Sequence, residues 1–276
     1  MQSVIADSYN VTTLLGSHLG LSALLPIQFN TMRENTLNAH LNIFPNEAFG
    51  EMPKLRYFGV GIRGCYNADD GILASAYNPS RVNMNLYSLI PIRCVPIDED
   101  LSDAERAQYR LRQRKVVGGE ECFLYYLKLL DYDTAIRYKR IDSATGTEVP
   151  YELNKEYLNP TPVKPAANTT VESADSSIVA YCNATVNLKA SEVLEYINRN
   201  YNGDTRWARI SEIGFFSGVD KMVAGTTGQG ATISYTEALY TMLYEQLTWT
   251  GTPLTHIGAN INSQFEITSA GAIIQS

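Results

Sequence analysis

Residues 178–221 constrain the fold more than any other stretch of this chain. Their pattern predicts a strand over 178–188, a short helix over 191–200, a polar turn over 201–205 and a second strand over 206–216. The second strand closes on Ser217, Gly218, Val219 and Asp220. Nothing in this unit resembles catalytic machinery, so it reads as scaffold. A chain organised around it needs further strands to complete a sheet.

Those strands are readable on either side. Residues 54–64 carry Tyr57, Phe58, Val60 and Ile62 between a proline and a glycine, which predicts a strand followed by a polar turn over 65–71. Residues 86–97 predict a strand that sits at an edge or bends at bulges, because Pro91 and Pro96 interrupt it. The apolar run from Cys122 to Leu130 suits a strand covered on both faces, and 121–132 is expected to pair with 135–142. Ser143 to Gly146 supplies a turn, and 148–153 continues the meander. Near the C-terminus, Ile257, Ala259, Ile261, Phe265 and Ile267 share one phase, predicting a half-buried strand over 255–268.

Two helices are expected besides that of the central unit. Ser102 and Glu105 form a Ser-x-x-Glu capping box that opens a helix over 102–115, ended by Gly118-Gly119. Arg106, Arg110, Arg112, Arg114 and Lys115 give it a basic second half, suited to the helix dipole or to an acidic neighbour. Tyr235, Leu239, Met242, Leu243 and Leu247 recur at helical spacing over 234–247, after a Gly/Thr-rich loop at 222–230. The fold class that follows is mainly β with a few short helices, sandwich-like with some α+β elements. Four regions are expected. They are an irregular N-terminal arm over 1–50 and a β-rich part with one helix over 51–158, then a Pro-rich linker or long loop over 159–177 and a β-rich part with two short helices over 178–276. Within the arm, 11–25 suits a short helix weakened by Gly16 and Gly20, or a segment held by a neighbour.

The search for chemistry finds none: no catalytic, cofactor-binding or metal-binding residues are expected, and no enzyme. Gly59-x-Gly61 lacks the third glycine opening a helix that a dinucleotide site needs, so a bulge or the close approach of another backbone is the better reading. Gly225 to Gly230 lacks the Gly-Lys-Ser/Thr ending of a nucleotide loop. The three histidines, His18, His40 and His256, have no Cys, Asp or Glu at ligand spacing. Asp69-Asp70 and Asp98-Glu99-Asp100 do not alternate ligands as a calcium loop does, and read as solvated acidic turns. Cys65, Cys94, Cys122 and Cys182 have no paired spacing and are expected as small buried residues rather than a disulfide framework. Residues 1–10 show no signal peptide, and no apolar run is long enough for a bilayer.

Composition narrows the class. Only 18% of the residues are charged and 18 are tyrosines, a balance that suits surface covered by neighbours. A tyrosine-rich core in a monomer reads equally well. The net charge of −7 argues against a nucleic-acid surface.

The phrase Lys54-Leu55-Arg56-Tyr57-Phe58-Gly59-Val60-Gly61 resembles segments of virion structural proteins of tailed bacteriophages. So do Ala184-Thr185-Val186-Asn187-Leu188, the helix after it, and the run from Arg209 to Lys221. The group most similar is the baseplate and tail structural proteins of contractile-tailed phages, including baseplate wedge subunits with β-sandwich folds. The resemblance implies a particle protein without enzymatic residues, made in the bacterial cytoplasm and located in the virion. Its partners are then other phage structural proteins and copies of itself in a ring or symmetric assembly, with no membrane and no nucleic acid. Alternatives are a neck or tail-terminator protein, or a receptor- or carbohydrate-binding β-domain, for which the two tryptophans, Trp207 and Trp249, offer few aromatic platforms.

Overall fold

The computed structural model describes residues 9–12, 20, 41, 52–67, 74–152, 176–204, 207–254 and 260–269. The fold is mainly β, with few short helices. In chain order the strands begin with β1 (Tyr9–Thr12), β2 (Lys54–Gly61), β3 (Cys65–Asn67), β4 (Ala74–Ala76) and β5 (Leu89–Ile90). Next come β6 (Arg93–Pro96), β7 (Tyr109–Val117), β8 (Glu120–Leu129), β9 (Asp131–Tyr132) and β10 (Arg137–Asp142). The last are β11 (Glu148–Tyr151), β12 (Ser176–Lys189), β13 (Arg209–Thr226), β14 (Thr232–Pro253) and β15 (Asn260–Ser269). A 3₁₀ turn, Ile97–Glu99, precedes α1 (Asp103–Arg106), and α2 spans Ala190–Asn200. The chain divides into two compact units, Met1–Leu130 with Leu188–Ile261, and Asp131–Asn187 with Asn262–Ser276.

The first unit is built on an eight-stranded sheet in the order β1-β14-β13-β2-β8-β6, with β5 beside β2 and β7 beside β8. The two long strands β13 and β14 pair from Arg209↔Pro253 to Thr226↔Thr232, with register shifts after Ile210, Phe215 and Ser217. Tyr57, Phe58, Tyr125, Leu127, Leu188, Ile197, Ile210, Phe216 and Tyr240 are fully buried. Each such burial contributes about 1.5–3 kcal/mol.

The helix expected over 102–115 stops at Arg106. The capping box is present, with Ser102 Oγ accepting from Glu105 N at 3.4 Å and Glu105 Oε2 accepting from Ser102 N at 3.1 Å. Beyond Arg106 the chain turns and becomes β7, where Tyr109 and Leu111 are buried and lie opposite Lys128 and Tyr126 of β8. The alternation of Tyr109, Arg110, Leu111 and Arg112 has the two-residue period of a strand, and the cap specifies only a start. Gly118 and Gly119, at φ +61° and +89°, make the two-residue turn into β8. The five basic residues therefore do not form a helix face.

The expected helix over 234–247 and the first part of the loop expected over 222–230, residues 222–226, are also strand, while 227–230 form a turn. β13 continues to Thr226, and β14 runs from Thr232 through the whole predicted helix. Residues 237–243 are buried at every position, and a strand covered on both faces places apolar residues at helical spacings by chance. Thr232, Ile233, Tyr235, Thr236, Tyr240 and Thr241 supply the β-branched and aromatic content that decides it.

The strand expected over 121–132 forms as β8 and β9, but its predicted pairing with 135–142 does not. β8 is taken by β7 along one edge and by β2 and β6 along the other. β10 pairs instead with β11 and β12 in the second unit, where the sheet order is β11-β10-β12-β15 with β9 beside β12. The Gly-Gly hairpin before β8 and the Asp142–Thr147 turn after β10 each supply a nearer partner. In β10 the buried residue is Lys139, whose ammonium meets Glu148 at 2.8 Å and Glu266 at 2.6 Å.

Other expectations hold in whole or in part. β12 and α2 form where the periods placed them. Of the strand expected over 255–268, residues 260–268 form within β15 with Ile261, Phe265 and Ile267 on its more covered side, while 255–259 lie outside the described residues. Gly59 and Gly61 do mark close approach, but of side chains rather than of another backbone: a Cβ on Gly61 would stand 2.3 Å from the Glu212 carboxylate, and one on Gly59 2.8 Å from the Leu89 side chain. Of the four cysteines expected to be buried, Cys94 and Cys122 are, whereas Cys65 and Cys182 are only half-buried; all four are free thiols. Burial pushes the Cys94 thiol up to about 12, which leaves it an unreactive thiol. The Pro-rich segment 159–177 lies outside the described residues except for its last two, which open β12. Most of 1–50 lies outside them too, including the possible helix over 11–25 except Val11, Thr12 and Gly20.

Candidate functional site

After β2 the chain passes through Ile62, Arg63 and Gly64 into the β3–β4 hairpin, and this corner is fixed from beneath. Glu212 of β13 lies opposite Gly61 and is fully buried. One carboxylate oxygen, Oε1, accepts from Ser88 N at 2.8 Å and Arg63 N at 3.3 Å. The other, Oε2, accepts from Tyr87 N at 2.9 Å and Gln246 Nε2 at 3.3 Å. Burial raises the Glu212 carboxyl above the usual glutamate range, with the backbone donors pulling the other way. Beside it, Ser211 Oγ accepts from Gly64 N at 2.8 Å. Gly64 itself is too close to β13 for a side chain, since a Cβ there would stand 2.1 Å from the Ser211 carbonyl oxygen. Gly64→Ala is accordingly expected to cost about 2–3 kcal/mol, read as a lowered urea midpoint with unchanged slope.

Above this staple lies an open cavity of about 860 Å³ lined by Ile62, Arg63, Cys65, Tyr66, Tyr77, Tyr87, Trp207 and Arg209. Tyr66, Tyr77 and Tyr87 form a run of rings with centroids 4.9 Å and 5.6 Å apart. They are 46%, 43% and 43% exposed, high for large aromatics. Tyr77 is held through its backbone, its N–H donating to Gly64 O at 2.9 Å and its carbonyl accepting from Thr248 Oγ1 at 2.5 Å. Trp207, in the same lining, stacks on Tyr201 with centroids 4.8 Å apart and planes at 13°. The Arg63 guanidinium lies 5.9 Å from the Trp207 ring centre. Arg209 Nη1 reaches the Thr250 carbonyl, at 3.5 Å. Among the described residues neither Arg63 nor Arg209 has a carboxylate within salt-bridge distance.

Among the described residues the cavity offers rings and guanidinium groups, and no acid–base pair is placed at it. Cys65 lines the cavity but no base is described beside it, and residues 18, 40 and 256, the histidines, lie outside the described residues. Asp69 and Asp70 also lie outside them. Asp100 is not a solvated acidic residue: it accepts from Arg106 Nη2 at 3.2 Å, Arg112 Nη2 at 2.8 Å and the Tyr125 hydroxyl. The expected basic patch is neutralised in the same way, Arg110 by Asp220 and Arg114 by Glu121. Among the described residues no group of three or more His, Cys, Asp or Glu side chains is placed to hold a metal ion. No described helix is long and apolar enough to cross a membrane.

Sequence reasoning singled out Trp207 and Cys65 but not the cavity they share. Its tyrosines come from separate, non-periodic segments around Asn67, Asn78 and Asn85. The readable signal was large aromatics in Asn- and Ser-rich stretches, where burial does not require them. Residues 1–272 match DUF7208, a family of unknown function, and the chain belongs to that family. No curated protein and no solved structure matches it.

Proposed function

We propose that this chain is a structural subunit of a bacteriophage particle, a tail or baseplate component that assembles through protein–protein contacts. The observation that carries the assembly part is the edge strand β15. It ends the second sheet, runs for ten residues, and among the described residues no strand pairs with its outer edge. Sheet edges in proteins that stay monomeric are blunted by lysine, proline or bulges. β15 has no proline and a single charged residue, Glu266, and that charge is matched by Lys139 at 2.6 Å. A regular edge so little defended suits strand addition by a neighbour. The low charge and abundant tyrosine of the chain support the same reading, and the resemblance of residues 54–61, 184–188 and 209–221 supplies its phage part.

Sedimentation of the purified chain, alone and mixed with tail and baseplate proteins, tests this. Concentration-dependent self-association or a co-sedimenting complex is expected. Asn262→Lys combined with Gln264→Lys, two exposed positions of β15, is expected to weaken that association at least about tenfold while leaving the unfolding midpoint unchanged. A chain that stays monomeric at the highest soluble concentration and binds no phage component defeats the proposal.

A further inference from the structure

We infer that the cavity beside β3 and β4 is a binding site for an anionic saccharide, one carrying a carboxylate on a pyranose ring. This stands independently of the assembly reading. The first ground is charge. Arg63 and Arg209 stand on the cavity wall with no carboxylate partner among the described residues, whereas Arg93, Arg106, Arg110, Arg112, Arg114 and Arg199 all have one. Arg81 and Arg140 also lack one, but they are exposed and outside the cavity lining. In a chain of net charge −7, two guanidinium groups in one concavity, both without a carboxylate among the described residues, mark a place for an external anion. A guanidinium near an aromatic face keeps its in-plane N–H groups for a planar carboxylate.

The second ground is the rings. Tyr66, Tyr77 and Tyr87 give a run of half-exposed rings about 5 Å apart, and Trp207 lines the same cavity. A pyranose has an apolar C–H face that lies on such rings and a rim of hydroxyls that tyrosine hydroxyls can meet. An acidic peptide would use the arginines but has no ring-shaped apolar face to match the tyrosine run. The third ground is rigidity. Glu212, Gly64 and Thr248 hold the backbone of Arg63, Tyr77 and Tyr87, so the site exists before its ligand arrives.

The test is calorimetric titration of the full chain with three anionic probes: trigalacturonate, 3′-sialyllactose and a hyaluronan tetrasaccharide. Methyl-esterified trigalacturonate and hexaglutamate serve as comparisons. At least one acid saccharide is expected to bind saturably, more weakly as salt rises, and with Trp207 fluorescence changing in step. Arg63→Gln and Tyr77→Ala are each expected to weaken that binding about tenfold or more, with unfolding midpoints unchanged. Neutralising the carboxylate is expected to do the same. No saturable binding by any of the three overturns the inference. So does binding of hexaglutamate as tight as that of the saccharides, or saccharide binding untouched by Tyr77→Ala.

Discussion

Asp100→Ala is expected to lower the unfolding free energy of the first unit by about 3–5 kcal/mol. Its carboxylate is 8% exposed and sits between the guanidinium groups of Arg106 and Arg112, which are 5% and 6% exposed. Three positions far apart in the chain's local structure meet there: the 3₁₀ turn, α1 and β7. Arg112 also lies 3.5 Å over the Phe123 ring and donates to the Thr226 carbonyl at 2.9 Å. The cluster thus ties the β7–β8 hairpin to the far end of the β13–β14 ribbon.

Alanine leaves both arginines buried with their main counter-charge gone. Arg106 keeps Asp103, but that carboxylate is 91% exposed and screened by water. The loss comes from the orphaned cations more than from the missing bond, and this makes a second variant decisive. Adding Arg112→Met to Asp100→Ala is expected to recover at least about 1 kcal/mol, because an apolar side chain carries no charge to desolvate. Both tryptophans, Trp207 and Trp249, belong to the first unit, so their fluorescence in urea reports its unfolding. A titration adds a readout independent of stability. Burial first, and the Asp100 bond second, push the Tyr125 hydroxyl up to about 12, so in the alanine variant it should ionise at lower pH. A loss under about 0.5 kcal/mol, or strictly additive variants, would show that the arginines are well solvated without Asp100.

The elements that were legible in the sequence are those whose local pattern agrees with their final environment. β2, β12 and α2 each have one period and clear ends, and β15 alternates because one of its sides is more covered than the other. β7 and β14 were misread for opposite reasons. In β7 a true capping box at Ser102 masked a two-residue alternation that starts only at Tyr109. In β14 burial on both faces erased the alternation, leaving Leu239, Met242 and Leu243 to mimic a helix stripe. Partner choice was less legible than element type, since β8 and β10 are adjacent in sequence yet belong to different sheets. The cavity was least legible of all. Its arginines and rings come from β3, from the segments after β2 and β4, and from the start of β13, and no window of sequence contains them together.

Glu212 is the single side chain on which that cavity most depends, and Glu212→Ala is expected to cost about 3–5 kcal/mol. Ser88, Tyr87 and Arg63 would lose the acceptor for their backbone N–H groups, and Gln246 one of its own. Each orphaned donor costs about 1–3 kcal/mol where water cannot replace the bond. Glu212→Gln keeps the volume and separates charge from shape. Since burial raises the folded-state carboxyl, the folded protein holds a proton at pH values where the unfolded chain has released it. Wild-type stability therefore falls as pH climbs from the unfolded glutamate value of about 4.3 toward the higher folded one, then levels. The glutamine variant lacks that step, so the stability of wild type minus variant should decline across the same window. Glu237, also raised by burial, is common to both proteins and cancels. Urea midpoints of the two proteins, measured from pH 4 upward, give that difference directly. A difference that instead grows with pH would mean that the four donors outweigh burial, and Glu212 would then hold the corner as a stabilised anion rather than as an acid kept neutral more easily than in water.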